Sequence, residues 1–270
     1  ALVDDTSANF TMADGTTETS HVSEASRIAY KIVATTTDRT NNPLTNYEFG
    51  TAAAKRNLET VNANNPGRVS TTGAITPASI RATTKEISKV YDGMREHTDE
   101  NRTEVKGNTV VSFTEWVNGQ TRTNTSTASY ADKNVSRDGR GNVIKKSVTY
   151  TAQLTGQYAD DYQIVNGSNA VISTPPSGSG ATKTVTANLG TVANAGTIRP
   201  RALNITMASV SKVYDTDSTN TAANNTATNQ SGTVASITAT PASSKIADIL
   251  SDDHISKESL GAAWRALRDG

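Results

Sequence analysis

"GAITPASIRATTKEISKVYDG" at residues 73–93 recurs without a gap as "GTIRPRALNITMASVSKVYDT" at residues 196–216. Gly73/Gly196, Ile75/Ile198, Pro77/Pro200, Ser88/Ser211, Lys89/Lys212, Val90/Val213, Tyr91/Tyr214 and Asp92/Asp215 coincide. The match is concentrated in two clusters, Gly-x-Ile-x-Pro at the front and Ser-Lys-Val-Tyr-Asp at the back. From Tyr91 to Tyr214 the spacing is 214 − 91 = 123 residues. Self-similarity at a fixed period marks a repeated structural unit, and it organises everything else in the chain.

A weaker correspondence precedes each copy. "RIAYKIVATTT" followed by "LTNYEFG" (27–50) parallels "KSVTYTAQLTG" followed by "YADDYQIVNG" (146–167). The second interval is longer because "STPPSGSGATK" (173–183) inserts a Pro/Gly/Ser loop, the kind of surface connection that absorbs length changes.

Within these segments apolar residues alternate with polar ones. Val148, Tyr150, Ala152 and Leu154 interleave with Thr149, Thr151 and Gln153. Ile28, Tyr30 and Ile32 do the same, as do Val185, Ala187 and Leu189, and Leu203 with Ile205. A period of two predicts strands with one buried face. "NTVVSFTEWV" (108–117) predicts a strand without clear sidedness. Asn-Pro at 42–43, Asn-Pro-Gly at 65–67, Asp-Gly at 138–139 and Asn-Gly at 166–167 punctuate the strands as turns. The expected fold is all-β: tandem β-sandwich (Ig-like) modules in an elongated rod. At the C-terminus, "ISKESLGAAWRALRDG" (255–270) predicts a short helix with Ser256 as N-cap and Leu260, Trp264 and Leu267 on one face. "SSKIADIL" (243–250) predicts a further helical turn.

Each Gly-x-Ile-x-Pro marks a module boundary. Ile75 or Ile198 ends one module's last strand, and Pro77 or Pro200, with no N–H and a fixed φ, breaks the ladder. The next strand begins at Ser79–Thr83 or Ala202–Thr206. This divides the chain into 1–76, the C-terminal part of a preceding module; 77–199, a complete module; and 200–270, the start of a following module with a helical tail.

Composition agrees with small β modules and limits the alternatives. Hydrophobic residues make up 34% and aromatics 5% of 270 residues, against a globular mean of roughly 45–50% apolar counted with Gly. Thr is abundant, and its branched Cβ suits a half-exposed pleated surface. Twenty-six basic residues balance 26 acidic ones, and no basic run supplies the phosphate-neutralising footprint of a nucleic-acid binder. No stretch approaches the roughly 20 apolar residues of a membrane span, so no nucleic acid and no membrane insertion is expected of this segment. Cysteine is absent, a usage that fits an exported surface protein.

These residues resemble a family. Gly-x-Ile-x-Pro, an alternating strand and Ser-Lys-Val-Tyr-Asp-Gly look like the YDG-repeat modules of bacterial hemagglutinin- and adhesin-like surface exoproteins. "YADKNV" (130–135), "KKSVTY" (145–150) and "DDYQI" (160–164) follow in the same order as later parts of that module. Two departures stand out: Thr216 replaces the family's Gly, and Asp161-Tyr162 replaces its Asn-Tyr. The resemblance implies a structural stalk or spacer of a large, secreted or cell-surface bacterial adhesin, contributing to cell adhesion. It implies an extracellular location, tandem modules of the same chain as neighbours, and a host or neighbouring-cell receptor or glycan as partner. It implies no catalytic residue and no cofactor. A carbohydrate- or protein-binding β-sandwich module of a surface protein is the alternative.

Individual residues fit structural roles. Tyr91 and Tyr214 sit at strand ends, where a repeated Tyr buries its ring and hydrogen-bonds its hydroxyl. Asp92 and Asp215 are turn formers. Asp215, Asp217 and Thr219 place oxygens at i, i+2 and i+4, as Ca²⁺ loops begin, but neither the Gly at the sixth position nor the Glu at the twelfth follows. His21, His97 and His254 are the only histidines and share no metal-ligand spacing. No Gly-x-Ser-x-Gly elbow or phosphate-cradling loop occurs, so the chain does not read as an enzyme. Lys89, Lys133 and Asn134 are residue types found in the intramolecular Lys–Asn bonds of surface rods, although no spacing selects them.

Overall fold

The computed structural model describes residues 2–3, 7–35, 48–51, 54–57, 61, 67–207 and 234–256. The strands are β1 (Leu2–Val3), β2 (Ser7–Thr11), β3 (Arg27–Ile32), β4 (Ala34–Thr35), β5 (Glu48–Thr51) and β6 (Ala54–Asn57). Then come β7 (Gly67–Thr72), β8 (Ala78–Thr84), β9 (Ile87–Val90), β10 (Val111–Thr114), β11 (Thr123–Asn124) and β12 (Thr127–Tyr130). The last are β13 (Lys146–Thr155), β14 (Tyr162–Val165), β15 (Thr184–Arg199), β16 (Ala202–Met207) and β17 (Val234–Thr240). The helix α1 (Ile246–Asp252) follows, where a helical turn is expected from "SSKIADIL". The fold is all-β with one short helix among the described residues. Residues 257–270, and with them most of the expected C-terminal helix, lie outside the described residues.

The chain forms two compact units. One comprises residues 1–81, 114–123 and 154–186; the other comprises 82–113, 124–153 and 187–270. In the first, β2, β3 and β7 form an antiparallel sheet in that order, and β14 runs parallel to β8 with Tyr162 opposite Ala78 and Ile164 opposite Ile80. In the second, β12 pairs antiparallel with β13, and β9 runs parallel to β15 with Ile87 opposite Gly196 and Val90 opposite Arg199. The β16–β17 hairpin completes the second unit's strands, with Leu203 opposite Ala239.

Alternation decides burial cleanly on β13. Val148, Tyr150, Ala152 and Leu154 are fully buried while Thr149 is exposed. Tyr150 fits because its hydroxyl has partners: it donates to the Lys85 carbonyl at 2.6 Å. "NTVVSFTEWV" yields only the four residues of β10, with Val111 and Phe113 inward; Glu115 turns to a positive φ of 70° and ends the strand.

On β3 the same pattern leads elsewhere. Direct opposition across the antiparallel ladders puts Ala8, Phe10, Ile28, Tyr30, Ile32 and Val69 on one face. The expectation from alternation is a buried face, yet Tyr30 is 38% and Val69 45% exposed. The buried residue of β3 is Ala29, on the opposite face. Periodicity specifies a face suited to burial, and burial itself requires a covering layer. Leu203 and Ile205 repeat the situation: Leu203 is half-buried and Ile205 46% exposed.

The conserved spacing of the repeat has a structural counterpart. β17 begins at Val234, 234 − 111 = 123 residues after β10 begins at Val111. As β10 lies beside β8, so β17 lies beside β16. The glycines of Gly-x-Ile-x-Pro also share a reason. A Cβ on Gly196 would stand 2.5 Å from Val148 Cγ2 and 2.6 Å from the Tyr130 ring, and one on Gly73 would stand 2.9 Å from the Ile28 backbone nitrogen. Both are tight approaches to neighbouring strands that no side chain allows.

Candidate functional site

Ser-Lys-Val-Tyr-Asp is the repeated motif, and in β9 its inward residue is Lys89. Ile87 and Lys89 are buried while Ser88 is exposed. The Lys89 ammonium is surrounded by oxygen: Asp92 Oδ1 at 2.7 Å, the Met94 carbonyl at 2.8 Å, the Glu96 carbonyl at 2.7 Å and Thr98 Oγ1 at 3.0 Å. The pair is nearly dry, with side chains 3% and 1% exposed. Desolvation pushes the lysine pKa down and Asp92 acts against it. Asp92 also accepts the Met94 N–H at 3.0 Å and the Thr98 hydroxyl. This short-range network fixes the 92–98 turn, because each group removed would strand another without a partner.

The sequence signal for Lys89 was its identity in both copies together with period-two spacing from Ile87; a lysine on a core face escapes notice because lysine is ordinarily exposed. His97 packs beside it, 6.3 Å from the Tyr130 ring. Burial and the Lys89 charge lower its pKa, and its Nδ1 is buried without a hydrogen-bond partner. An open cleft of about 440 Å³ adjoins this corner, lined by Ser88, His97, Asp99, Glu100, Asn101 and Arg199 among others. Its lining carries no Tyr, Trp or Phe.

Tyr91 leaves the core and points at the end of α1. Its hydroxyl donates to Asp253 Oδ1 at 2.7 Å; burial first, and Asp253 second, raise its pKa. Its N–H donates to the Arg199 carbonyl at 2.8 Å, and its own carbonyl accepts Arg201 Nε at 2.8 Å. Arg102 pairs with Asp252 at 3.0 Å, and Ser244 bonds Asn101 Oδ1. Within the second unit, residues 201 and 244–253 therefore dock on the motif corner.

A comparable cluster exists in the first unit. There, His21 Nδ1 lies 2.7 Å from Asp161 Oδ2, and its ring stacks on Tyr158 with centroids 3.3 Å apart and planes 3° from parallel. Asp161 also accepts the Val22 N–H at 2.8 Å and Arg122 Nη2 at 2.9 Å. Arg122 lies over the Tyr162 ring at 5.3 Å, and Trp116 meets that ring edge-on. Lys183 bridges Asp160 at 2.9 Å and Ser23 Oγ at 3.0 Å. Asp161 gathers three partners and Asp160 one, with the second Asp160 oxygen buried and unpartnered, so the cluster ties the 21–24 loop to the 158–162 turn as a latch. Asp161, which stands before Tyr162 as Asn46 stands before Tyr47, is its centre.

The remaining expected residues divide simply. Pro77 and Pro200 precede β8 and β16. Tyr214, Asp215, Asp217 and Thr219, including the whole Ca²⁺ candidate, lie outside the described residues. Among the described residues no cluster of three or more His, Asp or Glu could hold a metal ion, and no helix is long and apolar enough to cross a membrane. Lys133 stands 3.7 Å from Asp253, while the Asn134 carbonyl accepts Lys146, which also pairs with Asp132. Comparison with protein-family models, with curated proteins and with solved structures finds no match.

Proposed function

We propose that this chain is a structural spacer: tandem Ig-like β-sandwich modules, forming an elongated rod, from a large secreted or cell-surface bacterial adhesin with YDG-like repeats. The carrying observation is the recurrence of strand pairing at the sequence period: β16–β17 repeats β8–β10 after 123 residues, joined by only Pro200 and Arg201. A two-residue connection and a docked corner stiffen a joint, whereas a flexible linker would let modules swing. The reading places the protein outside the cell, with a receptor or glycan as partner of the larger assembly and tandem modules as its neighbours. It assigns no catalysis and no cofactor.

Small-angle scattering on dilute protein tests the rod. A compact chain of this length has a radius of gyration of about 18 Å; a rod gives a clearly larger value and a maximum dimension several times its width. A compact value overturns the reading. Saturable glycan-array binding, abolished by substitutions in loops 94–108, 120–130 or 173–183, would favour the binding-module alternative over a spacer alone.

A further inference from the structure

His97 is a histidine whose folded surroundings have no place for a charge. It is 7% exposed, and its Nδ1 is buried without a hydrogen-bond partner. Its backbone joins two segments: its N–H donates to the Ala128 carbonyl at 2.9 Å, and its carbonyl accepts the Val105 N–H at 2.7 Å. The ring therefore sits at the root of the 97–105 hairpin, which the Asp99 N–H closes on the Thr103 carbonyl at 2.9 Å. All of these residues belong to the second unit.

The ionisable groups around the ring are committed elsewhere. Lys89, from β9, already brings one cation to the corner. Asp92 answers it with Oδ1 at 2.7 Å, accepts the Met94 N–H at 3.0 Å on the same oxygen, and takes the Thr98 hydroxyl on the other. Tyr130, from β12, stands 6.3 Å away between ring centroids, and Arg199, from β15, is a further cation on the cleft wall. On the hairpin, Asp99 Oδ1 accepts the Asn101 and Thr103 N–H groups at 2.9 Å each, Glu104 pairs with Lys106 at 2.9 Å, and Glu100 is exposed. Burial first, and the Lys89 charge second, lower the His97 pKa from 6.5, with Asp92 acting against them. A proton on Nδ1 would set a second cation near Lys89 and bury a donor that has no acceptor.

The α1 segment rests on this hairpin. Arg102 pairs with Asp252 at 3.0 Å, Asn101 Oδ1 accepts the Ser244 hydroxyl at 3.2 Å, and Tyr91, at the same corner, donates to Asp253 at 2.7 Å. With seven residues, α1 is well below the roughly 12–15 at which an isolated helix is even marginal in water. It depends on being docked.

We propose that His97 is an acid-operated catch: when its ring takes a proton, the 97–105 hairpin lifts from β9 and releases α1 from the corner. Above pH 6.5 the ring is neutral and the catch is closed. The folded corner holds this proton less tightly than the open one, so closure weakens as pH falls below 6.5. A range ending at pH 5 stays above the ordinary carboxylate values of about 4, which isolates the histidine. The device is particular to this copy of the repeat, because 97 + 123 = 220 and residue 220 is Asn.

Native-state hydrogen exchange on the full chain, read as protection factors between pH 7 and pH 5, tests the catch. In the wild type the Val105, Asp99 and Asp253 amides should lose protection together, by up to about tenfold per pH unit below 6.5. The Thr125 amide, held by the Gln153 carbonyl at 2.9 Å in the same unit, should keep its own. His97→Gln cannot take a proton there and should flatten the fall at all three amides. His97→Asn replaces it if circular dichroism shows the Gln variant unfolded. A flat wild-type profile overturns the proposal. So does an equal fall in the Gln variant, which would assign the response to other groups such as His21 or His254, or an equal fall at Thr125, which would make it global. Loss at Val105 with Asp253 unchanged would overturn the release of α1. None of these outcomes bears on the spacer reading, which scattering tests separately.

Discussion

Val148, Tyr150, Ala152 and Leu154 on β13 are fully buried, whereas Tyr30, at the centre of the same alternation on β3, is 38% exposed. Both strands are interior to their sheets and both present aromatic and aliphatic residues at every second position. The difference lies outside the strands. β13 faces groups that complete it, down to the Lys85 and Ala195 carbonyls that accept the Tyr150 hydroxyl. β3 has a face of the right chemistry without an equivalent cover among the described residues. A strand's own sequence sets which side wants burial, and the rest of the module decides whether it happens.

The largest effect that could break this comparison is a paired truncation. Tyr150→Ala should cost about 3–5 kcal/mol in urea unfolding, as buried aromatic truncations do. Tyr30→Ala in dilute monomer should cost less than about 0.5 kcal/mol, as at exposed sites. Similar losses at both would mean that the β3 face is covered in solution. Next comes the corner. Lys89→Met should destabilise by about 3 kcal/mol, because it leaves the Asp92 carboxylate buried without its cation. Adding Asp92→Leu should recover part of that loss; a double variant no better than the single would show that packing, rather than charge, holds the turn.

Glycine sharpens the point on a smaller scale. Gly196→Ala drives a Cβ into Val148 and Tyr130 and should cost about 1–3 kcal/mol by overpacking. Gly139→Ala, with nothing within 4 Å, should stay within about 0.5 kcal/mol. Thermal melts of both variants decide it.

The repeat, the strands and the Gly-x-Ile-x-Pro boundaries were legible because period-two alternation and self-similarity survive in sequence. Three things were not. Lys89 was hidden by its residue type, since a charged side chain on a core face is readable only with its partner, and Asp92 looked like a turn former alone. The latch joins His21 to Asp161 across 140 residues, and no local pattern encodes a contact of that range. The exposure of Tyr30 and Ile205 depends on a second layer, which alternation cannot report. Asp161 did carry a signal, as the acidic residue in place of Asn before Tyr162.

Alkaline pH separates the two faces by a different route. Burial pushes the Tyr150 hydroxyl from an ordinary value of 10.0 up to about 12, and Tyr130 moves in the same direction. Because the folded state holds these protons more tightly, their contribution is complete below pH 10 and is lost as pH rises from 10 towards 12. Unfolding free energy should therefore fall over that window, and Tyr150→Phe should flatten the fall. An unchanged slope in Tyr150→Phe would mean that other groups dominate alkaline unfolding.

The most local effect expected is at the latch. Asp161 accepts the Val22 N–H, His21 Nδ1 and Arg122 Nη2 together, but its surroundings are only partly buried, so each bond is worth about 0.5–1.5 kcal/mol net. Asp161→Ala should therefore lower global stability by about 1.5–4 kcal/mol while exposing one backbone donor selectively. Native-state hydrogen exchange reads that donor directly: the Val22 amide should lose protection, while the Tyr91 amide, held by the Arg199 carbonyl in the other unit, should keep its own. His21→Ala removes the stacked ring but leaves the carboxylate in place, so Val22 should retain most of its protection. If Val22 exchanges equally fast in wild type and in Asp161→Ala, the 20–24 loop is not held by this carboxylate, and the cluster is a contact rather than a latch.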